Sequence, residues 1–302
     1  MSYDTHIDVD TAAVRRGPAA PRVSVVVPTY NEAANLPHVF SLLPEGLHEV
    51  VLVDGRSTDG TIEVARALRP DVVVVRQTRR GKGNAMTCGF AAVTGDIVVM
   101  LDADGSADPR EIARFVEALQ GGADFAKGTR FAGTGGSADI TRLRAWGNGV
   151  LNTIANTLFG TRYTDLCYGY NAFWATCLPA LELVDDGPAV DEQRWGDGFE
   201  IETVINTRIA KARLQITEVP SWEFERIHGE SNLNTWRDGF RVLRALAVER
   251  LRRPAPVDVT RPAAAPVAAV AAVPVAAAPV HVEVLDGPVL DLRERAELGL
   301  SV

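Results

Sequence analysis

Short apolar runs, most of them rich in valine, recur along the first half of the chain at spacings that leave room for a helix between successive runs. They lie at residues 23–27, 50–53, 72–75, 97–101 and 124–127. Nearly continuous apolar strands separated by helical patterns are typical of a parallel sheet covered by helices on both faces. The sequence therefore predicts an α/β fold, in which ligands bind beyond the carboxyl ends of the strands.

The fourth run ends in two aspartates, Asp102 and Asp104, which are separated by one residue. Residues i and i+2 of a strand point to the same side, so both carboxylates could face one cation. Hard oxygen ligands of this kind suit Mg²⁺ or Mn²⁺ carrying a diphosphate. Acidic residues are also common in solvated turns, so the triplet alone leaves a metal site and an ordinary turn both open.

Polar segments also follow the first two runs, at the same predicted edge of the sheet. They read PTYNE from residue 28 and DGRSTDGT from residue 54. A helix cap and a turn glycine account for Asp59 and Gly60 but leave Glu32 and Asp54 unexplained. A carboxylate at a strand end can accept hydrogen bonds from a nucleobase or a ribose hydroxyl, which makes Glu32 and Asp54 candidates for binding a nucleoside.

The segment RRGKGNA, residues 79–85, stands at the start of a predicted helix. It combines cationic side chains, flexible backbone and free amide donors, which together suit a pyrophosphate. It is not a Walker loop, because the glycine and lysine spacing differs and neither Ser nor Thr follows Lys82. Taken alone the segment could be a solvated basic loop, but its predicted position on the edge that carries Asp102 and Asp104 favours phosphate binding.

Composition argues against several classes of function. The 302 residues are 46% hydrophobic and carry a formal net charge of −8 at pH 7, which argues against non-specific nucleic-acid binding. The three cysteines lack metal-ligand spacing, so we expect neither a disulfide framework nor a zinc site, and a reducing cytoplasm fits best. No signal-peptide pattern and no run of about 18 apolar residues is present, so we expect neither secretion nor a membrane span.

Three regions are expected from the distribution of residue types. Residues 1–21 have the composition of an unstructured segment, and residues 22–253 carry the apolar periodicity of a folded domain. Residues 254–302 form a tail that is rich in Ala, Pro and Val, for which we expect an extended linker. A short helix at residues 290–298, acting as a docking peptide, is the alternative for the end of that tail.

In their order along the chain, these motifs resemble those of the family 2 glycosyltransferases of the GT-A fold. The matching segments are VSVVVPTYNEAANLP, VVLVDGRSTDGT, RRGKGNA, VVMLDADGSADP and AKGTRF. Three later segments are most similar to polyprenyl- and dolichyl-phosphate sugar synthases: TDLCYGYNAF, GFEIETVINTRIAKARLQITEVP and RIHGESNLN. The resemblance covers residues 23–253 and implies a Rossmann-like, mostly parallel sheet flanked by helices in one glycosyltransferase domain.

Carried over position by position, the resemblance implies a donor site for a UDP- or GDP-hexose. The residues that would hold the nucleoside are Pro28, Tyr30, Glu32 and Asp54. Lys82 would lie beside the diphosphate, and Asp102 and Asp104 would serve Mg²⁺ or Mn²⁺.

The resemblance also implies residues that act on the acceptor side and over the donor. Arg130, in the Gly-Thr-Arg triplet after the fifth run, matches an arginine placed near an acceptor phosphate. Arg226 and the loop that contains Ser231 match a mobile segment that closes over the donor and contributes to its binding. The sequence departs from the pattern at Asn232, where many relatives have lysine, and this departure weakens the case for a cation supplied by that loop.

The implied reaction moves a hexose, with inversion, to a polyprenyl phosphate at the cytoplasmic face of the membrane. A phosphate is already ionised near neutral pH, so positioning and charge stabilisation matter more than a base. A hydroxyl of a natural product or polysaccharide precursor would instead require a general base. Candidate bases are Asp197, Glu200 and Glu202, of which Glu202 matches the family position. The expected catalytic residues are Asp104, Arg130, Glu202 and Asp197. A non-catalytic sugar-nucleotide-binding scaffold is a third alternative, against which the intact aspartate pair argues.

Two predicted amphipathic helices could bring the chain to an anionic bilayer. Residues 235–253 carry six arginines against two acids, and their apolar stripe contains Phe240, Leu243, Ala247 and Leu251. Residues 142–159 begin with two arginines and Trp146. Each stripe could equally pack on the core, so peripheral membrane contact and ordinary packing both stay open. Relatives without membrane spans often self-associate, which leaves a homo-oligomer open as well.

Overall fold

The computed structural model of the chain describes residues 20–183, 192–229 and 235–253. The strands are β1 (Val23–Thr29), β2 (Glu49–Asp54), β3 (Val73–Arg76), β4 (Ile97–Met100), β5 (Phe125–Thr129), β6 (Gly136–Ser137), β7 (Asn171–Trp174), β8 (Ile216–Pro220) and β9 (Trp222–Glu223). The helices are α1 (Leu36–Ser41), α2 (Thr61–Leu68), α3 (Lys82–Ala92), α4 (Ile112–Gln120), α5 (Arg142–Phe159), α6 (Leu178–Leu181), α7 (Ile201–Lys211) and α8 (Thr235–Leu251).

A seven-stranded, mostly parallel sheet confirms the predicted α/β fold. Its strands are arranged in the order β3-β2-β1-β4-β7-β5-β8. All neighbouring pairs are parallel except the two made by β7, which runs antiparallel to β4 and to β5. The register of β1 on β2 ends with Thr29 opposite Asp54, so the polar segments after these two strands begin side by side.

The five predicted strands are all present, with bounds that differ by one or two residues. The sequence did not predict the two-residue strands β6 and β9. In the large sheet it also missed β7, which lies at the end of a Tyr- and Gly-rich segment. It is only four residues long, and a short apolar run without alternation does not distinguish a strand from a loop. Its conformation depends on hydrogen bonding to both β4 and β5, which is a tertiary effect.

Helices cover both faces of the sheet, as the uninterrupted apolar strands require. On one face, α1, α2 and α4 contribute Leu36, Val39, Ala65, Ile112, Phe115 and Leu119 to a core with β1, β2 and β4. On the other face, α3, α6 and α7 contribute Met86, Phe90, Leu181, Ile201, Ile205 and Ile209. Consecutive residues Val25, Val26 and Val27 are fully buried because each face of β1 meets one of these cores.

A third, smaller core lies between α5 and α8. It is formed by Ala155, Tyr163, Leu166, Val242 and Leu246. The side chain of Thr141 accepts a hydrogen bond from the Arg144 amide at 3.2 Å and so caps the start of α5. Part of the apolar stripe of α5 and part of that of α8 therefore pack on each other in this core.

No helix among the described residues is both long enough and apolar enough to cross a bilayer. The predictions for residues 1–19, for the tail from residue 254 onward and for a short helix at residues 290–298 lie outside the described part of the chain.

Candidate active site

A cleft of about 1370 Å³ lies at the carboxyl ends of β1, β2, β4 and β5 and extends between α5, α7 and α8. The predicted site residues that line it are Pro28, Tyr30, Glu32, Lys82, Asp102, Asp104, Arg130, Glu202 and Arg226. Pockets for one small ligand usually measure about 300–1,000 Å³. The cleft is therefore large enough for two substrates, and most of the predicted site residues meet in it.

Lys82 is the centre of an ion-pair cluster at the floor of the cleft. Its Nζ lies 2.7 Å from Asp102 Oδ1 and 2.8 Å from Glu202 Oε1. Burial alone would lower the pKa of Lys82, but the two carboxylates outweigh that effect and raise it. The ammonium therefore stays charged at any physiological pH, which is the state needed beside a diphosphate.

Glu202 enters this cluster from the first turn of α7, where its side chain is buried. Burial raises the pKa of Glu202, and the hydrogen bond and charge of Lys82 offset part of that rise. The contact fixes one carboxylate oxygen of Glu202 on the ammonium. Gly169 packs against the same cluster: a Cβ there would lie 2.9 Å from Lys82 Nζ and 3.1 Å from Glu202 Oε1.

Arg226 forms ion pairs with two further acidic residues of the cleft, Asp104 and Glu32. Its guanidinium lies 2.9 Å from Asp104 Oδ2 and 3.2 Å from Glu32 Oε1. The second oxygen of Asp104 accepts hydrogen bonds from the amide and the hydroxyl of Ser106 at 2.9 and 2.7 Å. Burial raises the pKa of Glu32, while Asn35 and Arg226 act to lower it. Residues separated widely in the sequence are thus joined into one network at the end of β4.

The segment that carries Arg226 is attached to the cleft through its backbone. The amide of Phe224 donates to Ser106 O at 2.8 Å, and the amide of Ile227 donates to Asp104 O at 3.3 Å. The side chain of Asn35 pairs with both backbone groups of His228, at 3.0 and 3.2 Å. Residues 224–228 therefore lie across the Asp102–Asp104 turn. Ser231, predicted in the same loop, lies outside the described residues.

Asp102 and Asp104 fit a cation that a diphosphate helps to hold. Both carboxylates face the cleft directly after β4, and a hard cation such as Mg²⁺ needs only one or two of them when phosphate and water supply the rest. Within the described ranges, no group of three or more His, Cys, Asp or Glu side chains converges as a complete protein cage would. A cation bound at this pair would neutralise the negative charge of a nucleoside diphosphate.

Arg130 lines the cleft but is held by two acids of the protein. Its guanidinium contacts Asp165 through Nε and Nη2 at 2.7 and 2.9 Å, and its Nη1 lies 2.9 Å from Glu223 Oε2. The ring of Tyr168 stacks against it, 4.9 Å from the guanidinium carbon. This network leaves little of the guanidinium for an acceptor phosphate. Arg144, which also lines the cleft and pairs only at the surface with Asp139, is better exposed.

Three residues that the sequence proposed for the site do not line the cleft: Asp54, Asp197 and Glu200. Glu200 is buried, and its carboxylate accepts the amide of Gly196 at 3.1 Å. Asp54 is buried, and its carboxylate accepts the backbone amides of Arg56 and Ser57 at 3.0 and 3.2 Å. Asp197 forms a buried two-point ion pair with Arg79, at 2.9 and 3.1 Å. The carboxylates of Asp54 and Asp197 thus hold loops in place. Because Asp197 is paired with Arg79, it is not placed to act as a general base.

The glycines of RRGKGNA are required by packing against the segment before α7. A Cβ at Gly81 would lie 2.1 Å from Asp197 O, and a Cβ at Gly83 would lie 1.9 Å from Gly196 O. The amide of Gly83 donates to Asp197 O at 2.7 Å. The expectation of a free amide at this position is therefore wrong, whereas Lys82 between the two glycines does reach the cleft.

A buried lysine behind the cleft was not found from the sequence. Lys127, on β5, is fully buried and donates to Tyr168 O and Gly128 O at 2.7 and 2.9 Å. Burial lowers its pKa to about 8, partly offset by Asp165 and Glu218. It holds the Tyr168–Gly169 backbone that packs on the Lys82 cluster. The sequence indicated this residue only through its position, because Lys127 in AKGTR is a lysine inside a strand predicted to be buried.

The chain is similar in sequence to several known glycosyltransferases. The sequence profile of the family described as Glycosyl transferase family 2 matches residues 24–177. Glycosyltransferase AglJ of Haloferax volcanii is 33% identical over 225 residues, which are 74% of this chain and 70% of that protein. Polyprenol monophosphomannose synthase of Mycolicibacterium smegmatis is 34% identical over 239 residues, covering 74% of this chain and 84% of the relative.

The fold has solved counterparts. Glucosyl-3-phosphoglycerate synthase from Mycobacterium tuberculosis, in complex with Mn²⁺, UDP and glucosyl-3-phosphoglycerate, superposes with a TM-score of 0.55 at 22% identity. The match covers 76% of this chain and 80% of the solved chain. At this identity the likeness concerns the fold, which is the one described above.

Proposed function

Because the chain belongs to glycosyltransferase family 2 and has the GT-A fold, we propose that it transfers a hexose from a nucleoside-diphosphate sugar to a polyprenyl phosphate. The observation that carries the proposal is the single cleft in which the Asp102–Asp104 pair and Lys82 share space with Arg144 and the groove between α5 and α8. A relative that is 34% identical is named for the synthesis of a polyprenol monophosphomannose, which makes mannose the first sugar to test.

The donor half of the proposal rests on the charges at the ends of β1 and β4. Lys82, held by Asp102 and Glu202, supplies a permanent positive charge for the leaving diphosphate. Asp102 and Asp104 would hold the Mg²⁺ or Mn²⁺ that neutralises the same group. Pro28 and Tyr30 line the cleft beside Glu32 and would contact the nucleoside. The choice between UDP and GDP follows from the shape of that end of the cleft.

The acceptor half rests on Arg144 and on the state of Glu202. A phosphate oxygen attacks the anomeric carbon from the face opposite to the leaving group, and inversion follows. This acceptor is ionised near neutral pH and needs no base. Glu202 is committed to Lys82 by a 2.8 Å contact and Asp197 to Arg79 by a 2.9 Å contact. Glu200, the third candidate base, is buried, accepts the amide of Gly196 and does not line the cleft. This favours a phosphate acceptor over a hydroxyl.

Peripheral contact with the cytoplasmic face of the membrane belongs to the same proposal. On α5, Trp146 is 68% exposed, and on α8, Phe240 and Leu251 are 69% and 86% exposed. Exposed arginines, among them Arg142 and Arg244, stand next to these apolar side chains. Apolar residues flanked by arginine on the exposed faces of two helices match an anionic bilayer surface.

The experiment is a transfer assay in which both substrates are varied. The purified chain is incubated with Mg²⁺ or Mn²⁺ and a panel of UDP- and GDP-hexoses, with and without a polyprenyl phosphate, and the products are identified by mass spectrometry. We expect sugar transfer that depends on the lipid phosphate and that is lost in Asp104→Asn. The control is Asp71→Asn, which removes an acid paired with Arg69 outside the cleft and should leave transfer unchanged.

The outcomes separate the alternatives. Transfer to a hydroxyl compound with none to polyprenyl phosphate would replace the lipid acceptor by a soluble one. Nucleotide binding without turnover of any donor would point to a sugar-nucleotide-binding scaffold and overturn the proposal.

A further inference from the structure

Residues 168–170, called the floor segment below, form the part of the cleft wall that lies next to Lys82. The middle residue, Gly169, leaves no room for a side chain. A Cβ at Gly169 would lie 2.9 Å from Lys82 Nζ and 3.1 Å from Glu202 Oε1. The backbone of the floor segment is therefore in close contact with the charged cluster, and a shift of this backbone would also displace the Lys82 ammonium.

The sheet holds the floor segment by its carbonyl groups. Tyr168 O accepts a hydrogen bond from Lys127 Nζ at 2.7 Å, and Gly169 O accepts one from Asn171 Nδ2 at 3.2 Å. Lys127 on β5 and Asn171 on β7 are direct partners in the strand register, so their side chains lie on the same face of the sheet. The position of Gly169 against Lys82 is thus set from β5 and β7, outside the cleft.

Lys127 is an unusual residue for this task, because it places an ammonium in the core. It is fully buried, and both of its hydrogen bonds go to backbone carbonyls rather than to a carboxylate. A buried charge without an ion pair costs stability, and burial lowers the pKa of Lys127 to about 8. An apolar side chain would fill the same place in β5 at lower cost. What the ammonium provides instead is a strong, charge-assisted hydrogen bond to the floor segment.

We infer that Lys127 is a positioning residue of the transfer reaction, which holds Gly169 against Lys82 and Glu202 through the Tyr168 carbonyl. The inference rests on the proposed function and adds to it a residue that does not line the cleft. Lys127 acts on the place of the Lys82 ammonium, which stabilises the leaving diphosphate. A small error in that place lowers the rate of the chemical step more than the affinity for the donor.

The test compares Lys127→Met with Phe125→Leu, a matched change two residues earlier on the same face of β5. Phe125 is fully buried, stacks on Phe173 and does not line the cleft. Sugar transfer to polyprenyl phosphate is measured for each variant, with rates expressed per folded molecule from circular dichroism. We expect Lys127→Met to lower kcat by roughly tenfold or more while the donor KM stays within about threefold of the parent. Phe125→Leu should keep kcat within about twofold.

A conservative variant separates positioning from simple packing. Lys127→Arg keeps a cationic donor in reach of the Tyr168 carbonyl, so we expect it to recover most of the kcat that Lys127→Met loses. Gly169→Ala reaches the same contact from the cleft side, because its methyl group would lie 2.9 Å from Lys82 Nζ. We expect it to lower kcat as Lys127→Met does, and it provides the test if Lys127→Met does not fold.

A double-variant cycle shows whether Lys127 acts through the cluster. Lys127→Met is introduced into the parent and into Glu202→Gln, in which the ion pair with Lys82 is already broken. If the effect of Lys127 passes through this contact, Lys127→Met should lower kcat by less than about twofold in the Glu202→Gln background.

Each result has a definite reading. A kcat of Lys127→Met or of Gly169→Ala within twofold of the parent would overturn the positioning role and leave the proposed function intact. The same would follow if Lys127→Met lowered kcat by an equal factor in both backgrounds of the cycle. A parent protein that transfers sugar to no polyprenyl phosphate would overturn the proposed function and this inference with it.

Discussion

Arg226 forms an ion pair with Asp104, with 2.9 Å between Nη2 and Oδ2. Lys82 forms the equivalent ion pair with Asp102, with 2.7 Å between Nζ and Oδ1. Each carboxylate of the pair that would hold a divalent cation is thus already matched by a cationic side chain of the protein. One of these side chains comes from the start of α3 and the other from the segment after β9, so two separate parts of the fold hold the pair.

Replacing Arg226 by alanine is expected to increase the affinity of the donor-free protein for Mn²⁺. The guanidinium competes for Asp104, and a partly exposed ion pair of this kind contributes up to about 1 kcal/mol, or roughly fivefold in affinity. Calorimetric titration with Mn²⁺ in the absence of nucleotide measures the change. Arg66→Ala, on the exposed face of α2, is the control. Equal Mn²⁺ affinity in Arg226→Ala and in the parent would contradict the competition.

Arg130→Met is expected to destabilise the fold far more than Arg144→Met, although both arginines line the cleft. Removing Arg130 leaves Asp165 and Glu223 buried without their shared cation, at a cost of about 3–5 kcal/mol. Arg144 is paired only at the surface, so its loss should cost less than about 1 kcal/mol. Urea denaturation of both variants measures the difference. Similar unfolding free energies would show that the Arg130 network is not needed for stability.

Lys127 should make stability depend on pH. Burial lowers its pKa from 10.5 to about 8, so between these values the unfolded chain keeps a proton that the folded chain has released. The free energy of unfolding of the parent should therefore rise with pH relative to Lys127→Met, by at most about 1.4 kcal/mol per pH unit. Below about pH 8 both states are protonated and the difference should be constant. Urea denaturation between about pH 7 and about pH 10 tests this, and parallel curves for the two proteins would rule it out.

Gly83→Ala is expected to destabilise the protein and Gly149→Ala to stabilise it slightly. A methyl group at Gly83 would collide with Gly196 O at 1.9 Å and push the segment before α7 away from α3, at a cost of about 1–3 kcal/mol. At Gly149 the methyl group meets no described atom within 4 Å, and alanine should gain about 0.5–1 kcal/mol from helix propensity. Thermal melting of both variants gives the two signs. The same sign for both would remove the packing explanation for the glycines of RRGKGNA.

The double variant Trp146→Ser, Phe240→Ser is expected to lose most of its binding to vesicles that contain anionic lipid. Trp146 is 68% exposed and Phe240 is 69% exposed, and their removal takes away apolar contact with the bilayer. Co-sedimentation with vesicles at low and high salt measures binding, which should also weaken with salt because arginines contribute. Leu68→Ser, on exposed α2, is the matched control. If the double variant sediments with the vesicles as fully as the parent does, α5 and α8 are not the membrane-facing surface.

The sequence identified the residues that meet in the cleft because most of them follow strand ends, and parallel strands bring those ends to one edge. It did not separate Asp54 and Asp197 from the carboxylates that face the cleft. The amides that hold Asp54 lie two and three residues away, but the partner of Asp197 is Arg79, 118 residues distant. Pairing at that separation is decided by tertiary packing. For the same reason, the commitment of Arg130 to Asp165 and Glu223 could not be foreseen from the GTR triplet.

The position of β7 has a consequence for how the protein acquires its cleft. This strand is the sole link in the sheet between β4 and β5, which do not pair with each other. It also follows directly from Tyr168 and Gly169, which complete the floor at Lys82 and Glu202. Because β7 comes after α5 in the chain, a nascent polypeptide that has emerged only as far as β5 has the four strands β3-β2-β1-β4 and a β5 without a neighbour in the sheet. Its catalytic edge is unfinished until a late, long-range contact is made. Glu202 on α7 and Arg226 after β9 come later still in the chain, so partly synthesised chains should be inactive as well as incomplete.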